Sequence, residues 1–179
     1  MAIDRYRGDY AFLSNFYYAP LTVRIEYSPG KFHRLALPTL EHAYQIHKLQ
    51  RFSDVLIVQR IIDPGDARWA VQKMAQREDW HARRLPVMTK LLDLKFWLNS
   101  EVFMHYDSYV PELTQNLLNT NDEVLIEGNS WGDTFWGVCN GVGENNLGKL
   151  QMQRRSRLRE IIARFTGRMN GDNNGHSRD

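Results

Sequence analysis

The chain has 179 residues, of which 42% are hydrophobic, with 23 Lys and Arg against 21 Asp and Glu. This composition is typical of one globular domain that can bury a substantial core. The single cysteine, Cys139, excludes an internal disulfide framework and a cysteine-built zinc site. The segment MAIDRYRGDY carries no apolar run, and no stretch approaches the ~18 consecutive apolar residues of a membrane span. We therefore expect a cytoplasmic protein without a membrane partner, and the oligomeric state stays open.

The first third of the chain predicts strands and turns. The segments AFLSNFYYAP and LTVRIEY are rich in aromatic and β-branched residues, which favour strands, and SPGK is typical of a turn. A helix should follow, with Thr39 as its cap.

This helix has an unusual polar side. At about 100° per residue, Glu41, Gln45 and Lys48 fall within one narrow arc, and Tyr44 lies at its border. Such a line of a carboxylate, an amide and an ammonium group is either a solvated face or the wall of a site.

Helices dominate the middle of the chain. Residues 54–62, DVLIVQRII, predict a buried helix, and the segment DPGDARWAVQKMAQRED begins another, with Asp63 or Asp66 as its cap. The segment LPVMTKLLDLKFWLN has the clearest helical pattern, with Pro86 near its first turn. A short helix should begin near Pro111 and end at NTND. In the LPVMTKLLDLKFWLN helix, the residues at the spacing expected of a buried face are Val87, Leu91, Leu94 and Leu98.

The last third predicts a strand at EVLIEGN, a long loop over SWGDTFWGVCNGVGENNLG, and a closing helix over 147–165. The residues after Thr166 are polar and rich in Gly and Asn, which predicts a disordered tail. We therefore assign residues 1–166 to a single compact α+β domain, mostly helical with a few short strands. Residues 167–179 are assigned to the tail.

The segment IEGNSWGDTFWGVCNGVGENNLG, which contains the long loop, is chemically unusual, because it combines two tryptophans, Trp131 and Trp136, with six glycines. Long loops inside compact domains are usually functional or disordered, and two tryptophans need something to pack on. A structural Ω-loop is the alternative. Gly141 and Gly143 form G-x-G, but Asn146 stands where a dinucleotide fingerprint needs its third glycine.

Neither a metal nor a cofactor is expected. His42 and His47 are five residues apart, which misses the spacing of a helical zinc motif. Three carboxylates remain as candidates for chemistry: Glu41, Glu127 and Asp133. Paired carboxylates beside aromatic rings suit the cleavage of a glycosidic bond, although a single carboxylate is more often a surface residue or a cap.

Six motifs occur in order between about Tyr10 and Arg159, and together they resemble the NADAR superfamily, which includes the YbiA-like N-glycosidases. The motifs are FLSNFY, P-T-x-E-H-A-Y-Q-x-x-K, the K-F pair at 95–96, L-I-E ending at Glu127, D-x-x-W-G from Asp133, and G-x-N-x-L-G from Gly143.

The resemblance implies a compact, mostly helical α+β domain and an N-glycosidase that needs neither metal nor cofactor. It also implies one of two substrates, either a ribosylamino-pyrimidine phosphate of riboflavin synthesis or ADP-ribose attached to guanine. Glu41 is then the catalytic carboxylate, and Asp133 completes the catalytic pair. Trp80 lies outside the quoted motifs but is added to the pocket. The expected substrate-binding residues are Asn15, Phe16, Gln45, Lys48, Trp80, Glu127, Trp136, Gly137, Asn145 and Gly148.

Two other functions compete with this interpretation. One is a non-catalytic module that binds ADP-ribose or another nucleotide. The other is nucleic-acid binding through a basic strip near the C-terminus, since a strip of this kind can hold phosphates. A solvated helix face is the simplest explanation of the strip. The expected partner is a small nucleotide or an ADP-ribosylated nucleic acid. The strip comprises Arg154, Arg155, Arg157 and Arg159.

Overall fold

The computed structural model describes residues 2–96 and 111–172, with side chains up to residue 164. Within these residues the fold combines short two-stranded sheets with a cluster of helices. The strands are β1 Ala2–Ile3, β2 Tyr18–Ser28, β3 Lys31–Thr39, β4 Val124–Leu125, β5 Gly128–Asn129 and β6 Val138–Cys139. The helices are a 3-10 helix Gly8–Leu13, then α1 Leu40–His47, α2 Phe52–Val58, α3 Pro64–Gln72, α4 Trp80–Lys95, α5 Glu112–Asn119 and α6 Asn146–Asp172.

Strands β2 and β3 form an antiparallel hairpin, as the LTVRIEY and SPGK segments predict. Its inward side chains, such as Val23 and Leu35, are buried, while the residues between them are exposed. Gly30 makes the turn with φ of +71°, a conformation that suits glycine. The prediction of a strand over AFLSNFYYAP was wrong in its first part. The 3-10 helix takes that place, because Phe12 and Leu13 both turn into the core.

Helix α1 lies at the centre of the fold, in contact with α2, α3, α4 and the hairpin. Thr39 caps it as predicted, and its side chain accepts a hydrogen bond from the His42 amide at 3.3 Å. The apolar residues of α1 are buried, but so are Glu41 and Gln45. The polar line of this helix is therefore not a solvated face.

Two helix boundaries differ from the sequence prediction. Helix α2 ends at Val58, and Ile62 is 88% exposed, so the predicted buried helix over 54–62 is too long. The reason is that Asp63 caps the next helix by accepting hydrogen bonds from the amides of Gly65 and Asp66. The Asp63 cap itself is one of the two alternatives that the sequence offered.

Helix α4 begins at Trp80, well before the LPVMTKLLDLKFWLN segment, so that Pro86 lies inside the helix. Its buried face is also displaced from the predicted one. Leu91 is buried as predicted, but Leu94 is exposed, and Met88 and Leu92 fill the core. Leu98 lies outside the described residues.

The C-terminal third follows the predicted order of elements. EVLIEGN divides into two short strands, and β4 pairs in parallel with β1. Helix α5 matches its prediction. Helix α6 continues beyond Thr166 to Asp172, and residues 173–179 lie outside the described part. The boundary between domain and tail stays a prediction. None of the helices in 2–96 and 111–172 is long and apolar enough to cross a membrane.

The basic strip on α6 serves the fold itself. The Nε atom of Arg154 forms an ion pair with Asp93 of α4 at 2.7 Å. Arg155 is buried and donates to the Thr120 hydroxyl at 2.7 Å, while Arg159 pairs with Asp122. The prediction of a strip that meets solvent or a nucleic acid is therefore corrected for Arg154 and Arg155, which are buried and fasten α6 to its neighbours, whereas Arg159 stays partly exposed.

Candidate active site

Glu41 occupies a buried position in the first turn of α1. Its side chain is only 6% exposed, and its amide donates to the carbonyl of Asn15 at 2.9 Å. One turn later, the Gln45 amide donates to the Glu41 carboxylate at 2.6 Å. Residues four apart on a helix are neighbours, which explains why the sequence pattern brings these two groups together. The Asn15 carbonyl therefore holds the backbone of Glu41, and the Gln45 side chain holds its carboxylate.

Two cations and one further carboxylate act on Glu41. Burial raises the pKa of its carboxyl group above the ordinary value, because an anion loses its hydration there. The positive charges of Lys48 and Arg68 oppose this increase, and the negative charge of Asp133 adds to it. Burial also lowers the pKa of Lys48. Sequence reasoning did not find Arg68. Its helix, α3, packs against α1, and no motif in the sequence indicates that contact.

Three aromatic rings stand beside this cluster. The Tyr44 ring meets Trp80 at 5.0 Å and Trp136 at 5.4 Å, in both cases edge to face. The indole nitrogen of Trp136 donates to the Tyr44 hydroxyl at 3.1 Å. The ammonium nitrogen of Lys48 lies 4.8 Å from the centre of the Tyr44 ring. The structure therefore brings together the two predicted tryptophans and adds Tyr44, which the sequence placed only at the border.

Asp133 holds the loop that carries Trp136. One of its carboxylate oxygens accepts hydrogen bonds from the amides of Phe135 and Trp136, at 3.2 and 2.9 Å. The side chain of Asn129 binds both the amide and the carbonyl of Asp133. Asp133 is close enough for its charge to act on Glu41 and Glu127, but its visible bonds position the loop.

Glu127 is the second carboxylate with a strongly altered acidity. Burial and the nearby charge of Asp133 raise its pKa to about 7. Gly137 lies directly against it, and a Cβ on that residue would come within 1.7 Å of a Glu127 carboxylate oxygen. Gly137 therefore leaves the space in which the carboxylate stands.

Asn145 and Gly148 support the strand end that leads to Glu127. The Asn145 side chain accepts from the Glu127 amide at 3.0 Å and donates to the Leu125 carbonyl at 2.8 Å. A Cβ on Gly148 would lie 2.1 Å from the same carbonyl oxygen. These contacts give the G-x-N-x-L-G motif a structural role, because they hold the strand end before Glu127 in place. A substrate contact by either residue stays a prediction.

The turn after the 3-10 helix carries Asn15 and Phe16. The Asn15 side-chain oxygen is buried and has no hydrogen-bond partner among the described residues, and the Phe16 ring is exposed. Lys95 anchors this turn from α4, since its ammonium donates to the Ser14 carbonyl at 2.7 Å. Complete burial lowers the pKa of Lys95 to about 7. The K-F motif thus has a structural role that the sequence did not predict.

The described part of the chain contains no group of three His, Cys, Asp or Glu side chains placed to hold a metal ion. The site is instead an acidic and cationic cluster beside aromatic rings. Such a combination is suited to a nucleotide, because the rings can stack on a base and the cations can hold a phosphate.

Comparison with known proteins identifies the family. The model of the NADAR domain matches residues 4–159, and the chain belongs to this family. The N-glycosidase of Nostoc punctiforme is 30% identical over 70% of this chain and 76% of its own length. A riboflavin biosynthesis protein of Vibrio vulnificus is 32% identical over 85% of this chain, and the chloroplastic riboflavin biosynthesis protein PYRR of Zea mays is 31% identical over 68%.

The chain spans 36% of the length of the Vibrio vulnificus protein and 20% of the Zea mays protein. Among solved structures, the NMR structure of the E. coli protein YbiA matches with a TM-score of 0.68 at 26% identity. The match covers 90% of this chain and 88% of YbiA. The predicted α+β fold of the YbiA type is thereby confirmed.

Proposed function

We propose that the chain is an N-glycosidase that hydrolyses the bond between a ribose and a base. The observation that carries this proposal is the Glu41 carboxylate, which is buried beside aromatic rings and accepts a hydrogen bond from the Gln45 side chain. The printed name of the Nostoc punctiforme relative, N-glycosidase, supports it.

The reaction breaks a C–N bond, and the bonding electrons leave with the base. The anomeric carbon becomes electron-poor in the transition state, as in other glycoside hydrolyses. We assign Glu41 to act at the anomeric carbon, because its carboxylate can stabilise the positive charge there or remove a proton from the attacking water. The hydroxyl of that water ends on the sugar, and the base departs with a proton.

Glu127 is our candidate for the donor of that proton. With a pKa of about 7, it keeps its proton to a higher pH than an ordinary glutamate does. Burial raises the pKa of both carboxyl groups, but the charge of Lys48 favours the anion of Glu41, so we assign Glu41 the anionic role and Glu127 the acidic one. Asp133, the second expected catalytic residue, is assigned a positioning role through the Phe135 and Trp136 amides.

Binding groups for the rest of the nucleotide surround Glu41. The side-chain oxygens of Asn15 and Gln45 are buried and have no hydrogen-bond partner among the described residues, so they are available to ribose hydroxyls. Trp136 offers a ring for the base, and Lys48 and Arg68 offer charge for a phosphate. Phe16 and Trp80 complete the set of rings. We also propose a cytoplasmic location, which agrees with the free thiol of Cys139.

Two substrate types contain the required bond. The names of the Vibrio vulnificus and Zea mays relatives favour a ribosylamino-pyrimidine phosphate of riboflavin synthesis. The family resemblance also includes ADP-ribose on guanine. Both place a phosphorylated ribose next to the base, which is why the same residues serve either one.

The test is to incubate the protein with each substrate type and to measure the released base by mass spectrometry. We expect release from at least one substrate, and none from it with Glu41→Gln. Tight binding of ADP-ribose without release of any base would contradict the proposal and favour the non-catalytic binding module.

A further inference from the structure

A concave surface lies apart from the Glu41 site. A groove of about 1160 Å³ runs between the β2–β3 hairpin and helices α2 and α4. Helix α1 contributes Ile46 and His47 to it, whereas Glu41, Tyr44 and Gln45 do not line it. We call this surface the hairpin groove.

The hairpin groove is strongly basic. Its lining includes seven Arg and Lys side chains but only two carboxylates, Glu26 and Asp93. Asp93 is already paired with Arg154, and Glu26 accepts a hydrogen bond from the Gly30 amide. The basic side chains come from both walls of the groove and from α6, so their charges converge on the space between the elements.

Two of these arginines face each other across the hairpin. Arg24 and Arg34 are directly paired in the β2–β3 register, and both are exposed. Like charges at opposite positions of an antiparallel pair destabilise a sheet. Among the side chains that the structure describes, neither arginine forms an ion pair to relieve the repulsion. An anion between them would do so.

Exposed aromatic rings lie next to these charges. Tyr27 and Phe32 are 47% and 48% exposed, and the Arg24 guanidinium lies 4.4 Å from the centre of the Phe32 ring. Tyr27 is supported from behind by Phe52 at 5.2 Å. Rings beside a basic groove are the arrangement that binds single-stranded nucleic acids, with bases on the rings and phosphates on the cations. An acidic peptide or a free phosphate would use only the cations.

We propose that the hairpin groove binds single-stranded nucleic acid, with phosphates on Arg24 and Arg34 and bases on Tyr27 and Phe32. The role of the groove rests on the proposed function and deepens it, because a strand bound in the groove could present a ribosylated base to the Glu41 site. The two surfaces are joined through the backbone, since the Arg77 amide donates to the Lys48 carbonyl at 2.7 Å. Arg77 lines the groove, and Lys48 lines the site.

The first experiment measures binding of an unmodified single-stranded DNA oligonucleotide by fluorescence anisotropy across a salt series. The double variant Arg24→Gln/Arg34→Gln should weaken binding and reduce the slope of log affinity against log salt by about 1.4, which is about 0.7 for each lost phosphate contact. The matched control is Arg5→Gln/Arg7→Gln, which removes the same charge from exposed residues outside the groove. The control should keep the slope of the unaltered protein.

A ring variant separates stacking from charge. Phe32→Leu should weaken binding about fivefold, because a stacked base is lost, and should leave the salt slope unchanged. An unchanged slope in the double variant, an equal loss in the control, or no binding at all would overturn the proposal. A dimer in sedimentation that the double variant abolishes and DNA does not displace would overturn it as well.

These measurements need no turnover, so they are independent of the N-glycosidase proposal. Release of base from a small ribosylamino-pyrimidine phosphate should be the same in the double variant and in the unaltered protein. If no base is released from any substrate but the double variant still loses DNA binding, the proposed function fails and the hairpin groove assignment stands.

Discussion

Helices α1 and α6 both bury charged side chains, but they leave those charges in different situations. On α6, Arg154 pairs with Asp93, and Arg155 donates to Thr120. On α1, burial raises the pKa of Glu41, and a neighbouring acceptor, the Gln45 side-chain oxygen, lacks a partner among the described residues. The two buried arginines of α6 have partners within the chain and hold the fold together. The Gln45 oxygen beside Glu41 keeps its capacity to bind, which is what a site requires.

The largest effect should come from removing the charge on α1. Glu41→Gln keeps the size of the side chain but removes the negative charge, so turnover should fall by ~10²-fold or more. Circular dichroism and the melting temperature should change little. The matched control is Glu78→Gln at an exposed position, which should keep normal turnover. A folded Glu41→Gln protein with near-normal turnover would show that Glu41 is not catalytic. The functional difference between α1 and α6 would then not hold.

On α6 the corresponding change should affect stability and leave the chemistry intact. Arg155→Gln withdraws the donors from the buried Thr120 hydroxyl and from the Glu123 carbonyl, which should lower the free energy of unfolding by about 2 kcal/mol. Arg157→Gln, on the exposed side of the same helix, should change it by less than about 0.5 kcal/mol. Urea unfolding measures both values. A loss of turnover in folded Arg155→Gln would show that α6 also takes part in the reaction.

The acidity of Glu127 provides a smaller, pH-dependent effect. Because the folded-state pKa is raised from 4.5 to about 7, the protonated form persists to near neutrality and is lost above it. If Glu127 donates a proton, kcat/KM should fall about tenfold per pH unit above that pKa. In Glu127→Gln this limb should be absent. A limb that persists in the variant would assign the proton donor to another group.

The same shift has a consequence for stability. An acid whose pKa is higher in the folded than in the unfolded state contributes stability that is fully present below the unfolded value of 4.5. This contribution is lost as the pH rises through about 7. Glu127→Gln should therefore flatten the dependence of unfolding free energy on pH between these values.

The smallest effect expected is that of a chelator. The described residues offer no cluster of metal ligands, and the proposed roles of Glu41 and Glu127 need none. Treatment with EDTA should leave turnover unchanged. Inactivation that is reversed by added zinc or magnesium would contradict this, and would require a metal site that bridges substrate and protein.

Local patterns in the sequence predicted the elements that depend on nearby residues. Thr39 caps α1 because a side-chain oxygen can reach an amide three residues later, a contact within one turn. The alignment of Glu41 with Gln45 follows from the helical period alone. Boundaries were less predictable. Pro86 lies inside helix α4, and Leu92 is buried in the core where Leu94 was expected. The reason is that packing against other elements outweighs local preference.

What the sequence by itself determined is therefore the set of groups: a carboxylate, an amide and an ammonium on one face of a helix, and the ordered motifs that resemble the NADAR superfamily. The tertiary structure decided which charges face a site. Arg68 joins Glu41 only because α3 packs on α1, and Arg155 is withdrawn from solvent only because the turn at Thr120 lies beside α6. The physical reason is that burial and charge partners, which set the acidity and the use of a side chain, come from residues far away in the sequence.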